Sequence, residues 1–368
     1  MKGKVGIREL AERAKAEGAY DLAQGVIDAP PPRVLMEALR GLPLEKISTY
    51  NNKRGVKEYR QAIVSYLGSR GWRVELEQVM AVAGANGGVT SALLTDLRPG
   101  AKVLLPEPFF AYHKLLLETL GFEIEFMKVP LDGRPDWDGI VEKMKEVDAA
   151  VITTPANPTG QVASVEVLAS LSEAAAENDC LLLIDEMYRE FIWDNPPKDD
   201  ASYEKINLAK TVLLRSWSKT FAIPGWRVGF AVTSPVRVEE MAARHDALYI
   251  GGSTIAQNAL AVALRGNLED LNKYVEDLRE MLLKNKEILE EAFADYGFTP
   301  LPVPATYYMM LKHGRENDMA AVEELIKKKI VTTPGNILFA DSTKETGYVR
   351  IHFAVKPEVA IKVAGILT

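Results

Sequence analysis

The sequence has 368 residues, of which 47% are hydrophobic and 26% are charged, and its formal net charge is −7. These proportions are typical of a globular protein with more than one domain. Mild acidity without a basic block argues against a nucleic-acid groove or an anionic membrane surface as the partner. The N-terminus lacks an apolar signal core, so we expect a cytoplasmic protein.

Cysteine and histidine are both sparse. Cys180 is the only cysteine, so we expect no internal disulfide, and its place beside an apolar run favours a buried thiol. The histidines are scattered without ligand spacing, so we expect no metal site.

Short apolar runs alternate with helical patterns through much of the chain. Continuous aliphatic runs of this length are typical of strands buried on both faces of a parallel sheet. The alternation therefore predicts an α/β fold with a mostly parallel central sheet covered by helices. In chain order, the predicted strands are QVMAV (78–82), AKVLL (101–105), AAVIT (149–153), CLLLI (180–184) and TVLLR (211–215).

The pattern changes after about Pro235. An amphipathic stretch at 267–296 predicts a long helix, YYMMLK and YVRIHFAV predict strands, and PEVAIKVAGIL predicts a final helix. We interpret this part as a smaller α+β domain, against which the N-terminal helix packs. The predicted division is a large domain at 40–265 and a discontinuous small domain at 1–39 plus 266–368.

Residues that follow the predicted strands are candidates for a site, because ligands of open α/β sheets bind beyond the carboxyl ends of the strands. Gly84, Ala85 and Asn86 open a helix whose free backbone N–H groups suit a phosphate, although a plain tight turn is the simpler explanation. Phe110 can stack on a flat ring or fill the core. Asn157, in the turn TTPANPTG, can donate to a ligand oxygen or belong to a plain loop.

Asp185 follows the fourth predicted strand. A carboxylate behind an aliphatic run needs a charged or donating partner, and the alternative is that it caps a helix. Tyr188 comes three residues later and can face the same site.

The fifth predicted strand leads into SWSKTFAIPGWR, which contains Ser216, Ser218, Lys219 and Arg227. Serine hydroxyls and a guanidinium match a phosphate dianion. A partly buried lysine beside cationic groups has a depressed pKa, and its neutral amine can form a Schiff base. A phosphate cradle, a stacking aromatic, a carboxylate and such a lysine together predict a site for pyridoxal 5′-phosphate.

The motifs NPTG, DEMYREF and SWSKTFAIPGWRVGF, in this order and at these distances, resemble the class I/II aminotransferases of the fold type I pyridoxal-phosphate-dependent enzymes. The resemblance extends over essentially the whole chain. It includes LAQGVID near the N-terminus, YNNKRGVKEYRQAI, and YVRIHFA near the C-terminus. Each motif is moderately specific, and their conjunction is highly specific.

The resemblance implies a role for each candidate. Lys219 would hold the cofactor as a Schiff base and then move the substrate proton, and Asp185 would pair with the cofactor's ring nitrogen. Tyr188 and Asn157 would hydrogen-bond the ring oxygen, and Phe110 would stack on the ring. The residues that match the phosphate cradle are Ser216, Ser218, Arg227 and the backbone of Ala85 and Asn86.

The resemblance also implies a substrate site and a partner. Arg350 matches the arginine that binds the substrate α-carboxylate, although without the resemblance it would be taken for an exposed strand arginine. Gly25 and Asn157 match groups that approach the same substrate. Tyr50 matches the tyrosine that reaches the phosphate of the partner subunit, so we expect a homodimer with shared active sites.

Some features bear on substrate choice and local geometry. The segment YIGGSTIAQ (249–257) lacks the arginine of the dicarboxylate-specific branch. Lys53 and Arg54 are an alternative for an acidic side chain, or simply part of a solvated loop. The spelling PFF resembles the branch that accepts aromatic or varied amino acids. Pro108 and Pro158 stand where the family tends to have cis prolyl bonds.

These observations predict a pyridoxal-phosphate-dependent aminotransferase that moves an amino group between an amino acid and a 2-oxo acid by a ping-pong reaction. Broad, neutral or aromatic donors are expected. The same scaffold serves C–S β-lyases, cyclopropane-carboxylate-type synthases and amino-acid racemases, and these alternatives stay open. A non-catalytic protein that binds the cofactor is a further alternative.

Overall fold

The computed structural model describes residues 6–194, 196 and 199–368. Its strands, in chain order, are β1 (Tyr20–Asp21), β2 (Val79–Val82), β3 (Lys102–Glu107), β4 (Glu123–Lys128), β5 (Ala149–Thr153), β6 (Leu181–Asp185), β7 (Thr211–Ser216), β8 (Gly229–Val232), β9 (Thr299–Pro300), β10 (Tyr308–Lys312), β11 (Ile330–Val331), β12 (Thr333–Pro334) and β13 (Tyr348–His352).

The α-helices are α1 (Ile7–Glu17), α2 (Arg33–Arg40), α3 (Leu44–Ile47), α4 (Lys57–Ser69), α5 (Gly84–Asp96), α6 (Ala111–Thr119), α7 (Trp137–Lys143), α8 (Val165–Glu177), α9 (Trp217–Thr220), α10 (Pro235–Tyr249), α11 (Thr254–Gly266), α12 (Leu268–Asp295), α13 (Asp318–Lys327) and α14 (Pro357–Leu367). None of the helices in the described ranges combines the length and the apolar character that a membrane crossing demands.

The central sheet has the strand order β2-β8-β7-β6-β5-β3-β4. Its strands are parallel except for β8, which runs antiparallel to both of its neighbours. The prediction of a mostly parallel sheet is confirmed. Both faces are covered: Leu182 and Ile184 of β6 point into one core, whereas Leu181 and Leu183 point into the core on the other side. This explains why β6 is written as an unbroken aliphatic run.

A further core brings together the two ends of the chain. Leu10 of α1 packs there with Leu282 and Leu289 of α12, and the antiparallel sheet β12-β13-β10-β9 supplies Met309 and Ile351. The predicted long helix and final helix are found as α12 and α14, which pack on each other. The N-terminal helix therefore packs where the sequence predicted it.

The domain boundaries at 40 and 265 stay a prediction. The shared core of the chain ends favours a discontinuous small unit of this kind. Helix α2 behaves differently, because Val34 and Leu35 belong to the core under the central sheet and α2 packs on α11. Packing therefore favours assigning α2 to the large unit.

Candidate active site

A cleft opens between the carboxyl ends of the central strands and the unit formed by the chain ends. Its free volume is about 1030 Å³, with the open mouth included. Parallel strands bring their carboxyl ends to one edge, and the pairing of Thr153 with Asp185 and of Asp185 with Leu214 sets them side by side. The predicted site residues that line the cleft are Gly25, Ala85, Asn86, Phe110, Asp185, Tyr188, Ser218, Lys219, Arg227 and Arg350.

Lys219 lies in the short helix α9, directly after β7. The helix begins there because the Ser216 side chain accepts a hydrogen bond from the Ser218 N–H at 3.2 Å. Lys219 Nζ donates to the Gly25 carbonyl at 2.8 Å. Burial lowers the pKa of Lys219, and the charges of Arg227 and Arg350 lower it further. The amine is therefore shifted toward its neutral, nucleophilic form.

Asp185 ends β6 with its carboxylate nearly buried, at 5% exposure. Oδ1 accepts the Met187 N–H at 3.1 Å, and Oδ2 lies 3.3 Å from His113 Nε2. His113 Nδ1 lies 3.4 Å from the Thr153 hydroxyl. His113 was missed as a site residue from the sequence, where it was assessed only for metal spacing. The available signal was its position three residues after Phe110, whose ring packs edge-to-face against the imidazole.

Arg350 comes from β13 and is buried, at 1% exposure, so the alternative of an exposed strand arginine is wrong. Nη1 donates to Asn157 Oδ1 at 2.9 Å, and Nη2 donates to the Ala23 carbonyl at 2.8 Å. Its guanidinium lies 4.3 Å from the centre of the Tyr308 ring. Burial lowers the pKa of Arg350. A planar fork held on one side and facing a cleft is suited to a carboxylate.

Tyr188 belongs to an aromatic group that sequence reasoning found only in part. Its hydroxyl donates to the Tyr308 hydroxyl at 3.3 Å, and its ring packs edge-to-face on Tyr307. Burial raises the pKa of Tyr188 well above its ordinary value, and the neighbouring Tyr308 raises it further. Tyr307 also donates to the Gly25 carbonyl at 3.1 Å.

The opposite end of the cleft has the features of a phosphate site. Helix α5 begins at Gly84, whose φ of +71° favours glycine, and presents the N-terminal turn at Ala85 and Asn86. Arg227, with a φ of +53°, donates from Nη2 to the Ala83 carbonyl at 3.3 Å. A Cβ on Gly84 would lie 2.6 Å from that same nitrogen. Backbone N–H groups and a guanidinium therefore converge on one point.

The two serines of the SWSK motif differ in position. Ser218 lines the cleft, whereas the Ser216 hydroxyl lies behind it and donates to the Val228 carbonyl at 2.9 Å. The two hydroxyls are themselves 2.9 Å apart. Ser218 is thus the better placed of the two to meet a ligand directly.

The cleft fits pyridoxal 5′-phosphate. Asn157 Nδ2 and Arg350 Nε are buried and have no hydrogen-bond partner among the described residues, which suits a ligand that supplies acceptor oxygens. The cationic end around Arg227 suits the phosphate, and the lysine with a lowered pKa suits the aldehyde. The prolyl bonds Glu107–Pro108 and Asn157–Pro158 are cis, as predicted, and Thr154–Pro155 is cis as well.

Tyr50 lies outside the cleft of its own chain, and 82% of its side chain is exposed. Lys53 and Arg54 also lie outside it. Both pair with Glu239, with Lys53 Nζ at 3.0 Å from its carboxylate. These two cations are therefore not directed at a substrate in this chain.

Comparison with known proteins agrees with this geometry. A sequence model of the family described as Aminotransferase class I and II matches residues 16–365. The aspartate aminotransferase of Pyrococcus horikoshii is 29% identical over 97% of this chain and 92% of its own length. The aromatic-amino-acid aminotransferase 2 of Thermococcus litoralis is 27% identical over 96% of this chain and 92% of its own.

Solved structures share the fold. YbdL of Escherichia coli, described as having a methionine aminotransferase function, superposes with a TM-score of 0.89 at 23% identity, over 100% of this chain and 97% of its own. The aspartate aminotransferase of Thermus thermophilus, solved with maleate, superposes with a TM-score of 0.88 at 23% identity, over 100% of this chain and 96% of its own.

Proposed function

Because this chain belongs to the class I and II aminotransferases, which depend on pyridoxal 5′-phosphate, we propose that it takes its amino group from neutral or aromatic amino acids by a ping-pong reaction. The observation that carries this proposal is the composition of the cleft. Lys219, Asp185 and Arg350 meet in it, and its other walls are mostly apolar. Amino acids and 2-oxo acids are the substrates of such an enzyme.

Several polar groups in the cleft, with Asn157 and Ser216 beside it, have proposed tasks toward the cofactor. Asp185, fixed by Met187 and His113, would hold a proton at the ring nitrogen, and Phe110 would cover the ring. Asn157 would donate to the ring oxygen from Nδ2, and Tyr188 would do so by turning its hydroxyl hydrogen away from Tyr308. The phosphate would lie on Ala85, Asn86, Ser218 and Arg227, with Ser216 supporting Ser218 from behind.

When bound, pyridoxal 5′-phosphate supplies a carbonyl that captures the amino group and a ring that withdraws electrons from the substrate Cα. Lys219 supplies the amine that holds the cofactor and that later accepts and returns the Cα proton. Its lowered pKa favours this task, because a larger fraction of the amine is then neutral and able to accept a proton. The Gly25 carbonyl, 2.8 Å from Nζ, limits where that amine can swing.

The substrate α-carboxylate would bind Arg350. Its guanidinium is already oriented by Asn157 and Ala23, so little side-chain entropy is lost when the carboxylate arrives. Gly25 lets its backbone lie directly against Tyr308 beside this site, because any side chain there would overlap the Tyr308 ring.

The rest of the cleft wall supports an apolar or aromatic donor. Ile7, Val26, Tyr112, Met187 and Tyr308 line it. The cations in the lining, Lys219, Arg227 and Arg350, all have other tasks in this proposal. Among the described residues of this chain, an acidic side chain would therefore meet no further cation in the cleft, and burying it there costs free energy.

We also propose a homodimer with shared sites. Apolar side chains stand exposed on α3, α10 and α11 and the adjoining segments, and such a cluster marks a protein interface. Its members are Leu44, Tyr50, Leu248, Tyr249, Ile250, Ile255 and Val262. Tyr50 would cross this interface to the partner's phosphate.

Mixed dimers test the sharing of sites. Lys219→Ala and Tyr50→Ala are each expected to impair their homodimers. Mixing them gives hybrid dimers in which one site has both Lys219 and Tyr50 intact, so activity should reappear. If the activity of the mixture stays at the sum of the activities of the two parent homodimers, the shared site is contradicted.

A donor panel tests the reaction. The enzyme is incubated with phenylalanine, tyrosine, methionine, leucine or aspartate, with 2-oxoglutarate as the acceptor, and glutamate is measured. We expect higher kcat/KM for the aromatic and neutral donors than for aspartate. A preference for aspartate would contradict the donor proposal, and 2-oxo acid plus ammonia without any acceptor would indicate a lyase.

A further inference from the structure

A cluster of buried and half-buried charges lies directly behind the cleft. We call it the rear ion cluster. It contains three cations and three carboxylates: Arg70, Arg189, Arg215, Glu186, Glu190 and Asp200. None of these side chains is among those that line the cleft.

Arg215 is the central member of the rear ion cluster. Its Nε lies 2.8 Å from Glu186, and its Nη1 lies 2.7 Å from Asp200. Asp200 is also bound by Arg189 at 2.6 Å and by Arg70 at 3.0 Å. Burial alone would raise the pKa of Asp200, but the charges of these three arginines hold it below its ordinary value. The three arginines therefore favour the ionised form of Asp200 despite its burial.

Aromatic rings enclose the cluster. The Arg215 guanidinium lies 4.9 Å from the centre of the Tyr203 ring and 5.4 Å from that of Trp72. Tyr203 also donates its hydroxyl to Glu186, and Tyr66 donates to Glu190 at 3.3 Å. Such packing restricts each charged side chain to one geometry.

Members of the cluster are chain neighbours of the proposed cofactor residues. Glu186 follows Asp185, Arg189 follows Tyr188, and Arg215 precedes Ser216. Successive side chains of an extended strand point to opposite faces. Asp185 therefore faces the cleft while Glu186 points behind it; Tyr188 also lines the cleft, whereas Arg189 joins the cluster.

We propose that the rear ion cluster positions Asp185 relative to Lys219, with Arg215 as the residue that joins their two strands. The proposal rests on the roles assigned above to these two residues. Arg215 lies on β7, which leads into Lys219, and its partner Glu186 extends β6, which ends in Asp185. A buried ion pair adds little stability over well-packed apolar side chains, so we assign this one to fixing the geometry of the two strand ends that it joins.

Arg215→Met and Arg215→Lys test this role in the holoenzyme. One measurement is the pH midpoint at which the visible absorbance of the bound cofactor changes, and the other is the cofactor dissociation constant from equilibrium dialysis. If Asp185 is held less firmly, it stabilises the positive charge at the ring nitrogen less well. The pH midpoint of the absorbance change should therefore rise by about half a pH unit or more. The dissociation constant should increase roughly fivefold or more. Lysine should rescue little, because it cannot bridge Glu186 and Asp200 together.

Arg237→Met is the matched control. Arg237 is buried to the same extent as Arg215 and pairs with Asp96, at the far end of the sheet from the cleft. It should lower stability without moving the absorbance midpoint. If Arg215→Met leaves the midpoint and the dissociation constant at the wild-type values, or if Arg237→Met shifts them equally, the proposal is wrong.

Tyr203→Phe covers the case in which Arg215→Met does not fold. It removes the hydrogen bond to Glu186 and keeps all six charges. The midpoint should rise in the same direction, though less, and an unchanged midpoint in a folded Tyr203→Phe would overturn the proposal. The proposed function is contradicted instead if the wild-type holoenzyme has no visible absorbance band that changes with pH. It is also contradicted if that band persists in Lys219→Ala.

Discussion

Gly25→Ala should damage the cleft through a single added methyl group. The new Cβ would lie 2.1 Å from the Tyr308 hydroxyl oxygen and 2.5 Å from Cζ. The Tyr308 ring cannot yield easily, because Tyr188 is hydrogen-bonded to it and Arg350 lies over its face. The segment that carries residue 25 must therefore move away.

That movement has a calculable cost. Overpacking a filled site costs about 1–3 kcal/mol. The Gly25 carbonyl also accepts from Lys219 and Tyr307, and losing each of these hydrogen bonds costs roughly 1 kcal/mol. We therefore expect the free energy of unfolding of the apoprotein to fall by roughly 3–5 kcal/mol, measured by urea denaturation.

A double-mutant cycle identifies the cause. If the clash with Tyr308 dominates, Gly25→Ala should cost at least about 1 kcal/mol less in a Tyr308→Ala background than in the wild type. Gly68→Ala is the control, because no atom outside its own helix lies within 4 Å of the added methyl group. It should leave stability unchanged or slightly higher. Equal costs of Gly25→Ala in both backgrounds would refute the steric argument.

Three further substitutions test the polar groups. Asp185→Asn should retain the cofactor but lower kcat by roughly three orders of magnitude, because the ring nitrogen loses its anion; near-normal turnover would remove Asp185 from this role. Arg350→Lys should raise the amino-acid KM roughly 10- to 100-fold, because a point charge cannot replace the fork, and an unchanged KM would contradict a carboxylate site. Burial lowers the pKa of Lys219 in the folded protein below its ordinary value of 10.5. Between these two pKa values the unfolded chain binds more protons than the folded one, so the free energy of unfolding rises with pH. Lys219→Met apoprotein should therefore exceed the wild type in stability by a margin that is widest near neutral pH and shrinks toward pH 10.5, as measured by urea unfolding; a margin independent of pH would contradict the lowered pKa.

The strands of the sheet centre could be predicted because burial on both faces makes them unbroken aliphatic runs. All five predicted runs are found, as β2, β3, β5, β6 and β7. The sequence EIEFMK of β4 was not recognised, because it contains no unbroken aliphatic run. A half-buried edge strand alternates polar and apolar residues instead. The antiparallel direction of β8 also had no local signal, because direction depends on the connection and not on the residues of the strand.

The site could be predicted where it follows the strand ends. Asp185 and Lys219 were found in this way, since parallel strands bring their carboxyl ends together. Tyr308 was not found, although its strand was predicted, because its contact with Tyr188 joins segments 120 residues apart. Nothing local distinguishes the serine that lines the cleft, Ser218, from the one behind it, Ser216.

We expect this cleft to transfer an amino group in two separate halves, with Lys219 as the reactive amine. The direct measurement is a single-turnover reaction of the holoenzyme with phenylalanine and no acceptor. We predict one equivalent of phenylpyruvate per active site and no free ammonia. The visible absorbance should be lost and should return when 2-oxoglutarate is added. Lys219→Ala should form no phenylpyruvate and show no such change in absorbance. Continued release of 2-oxo acid and ammonia, or no product until an acceptor is added, would contradict the claim.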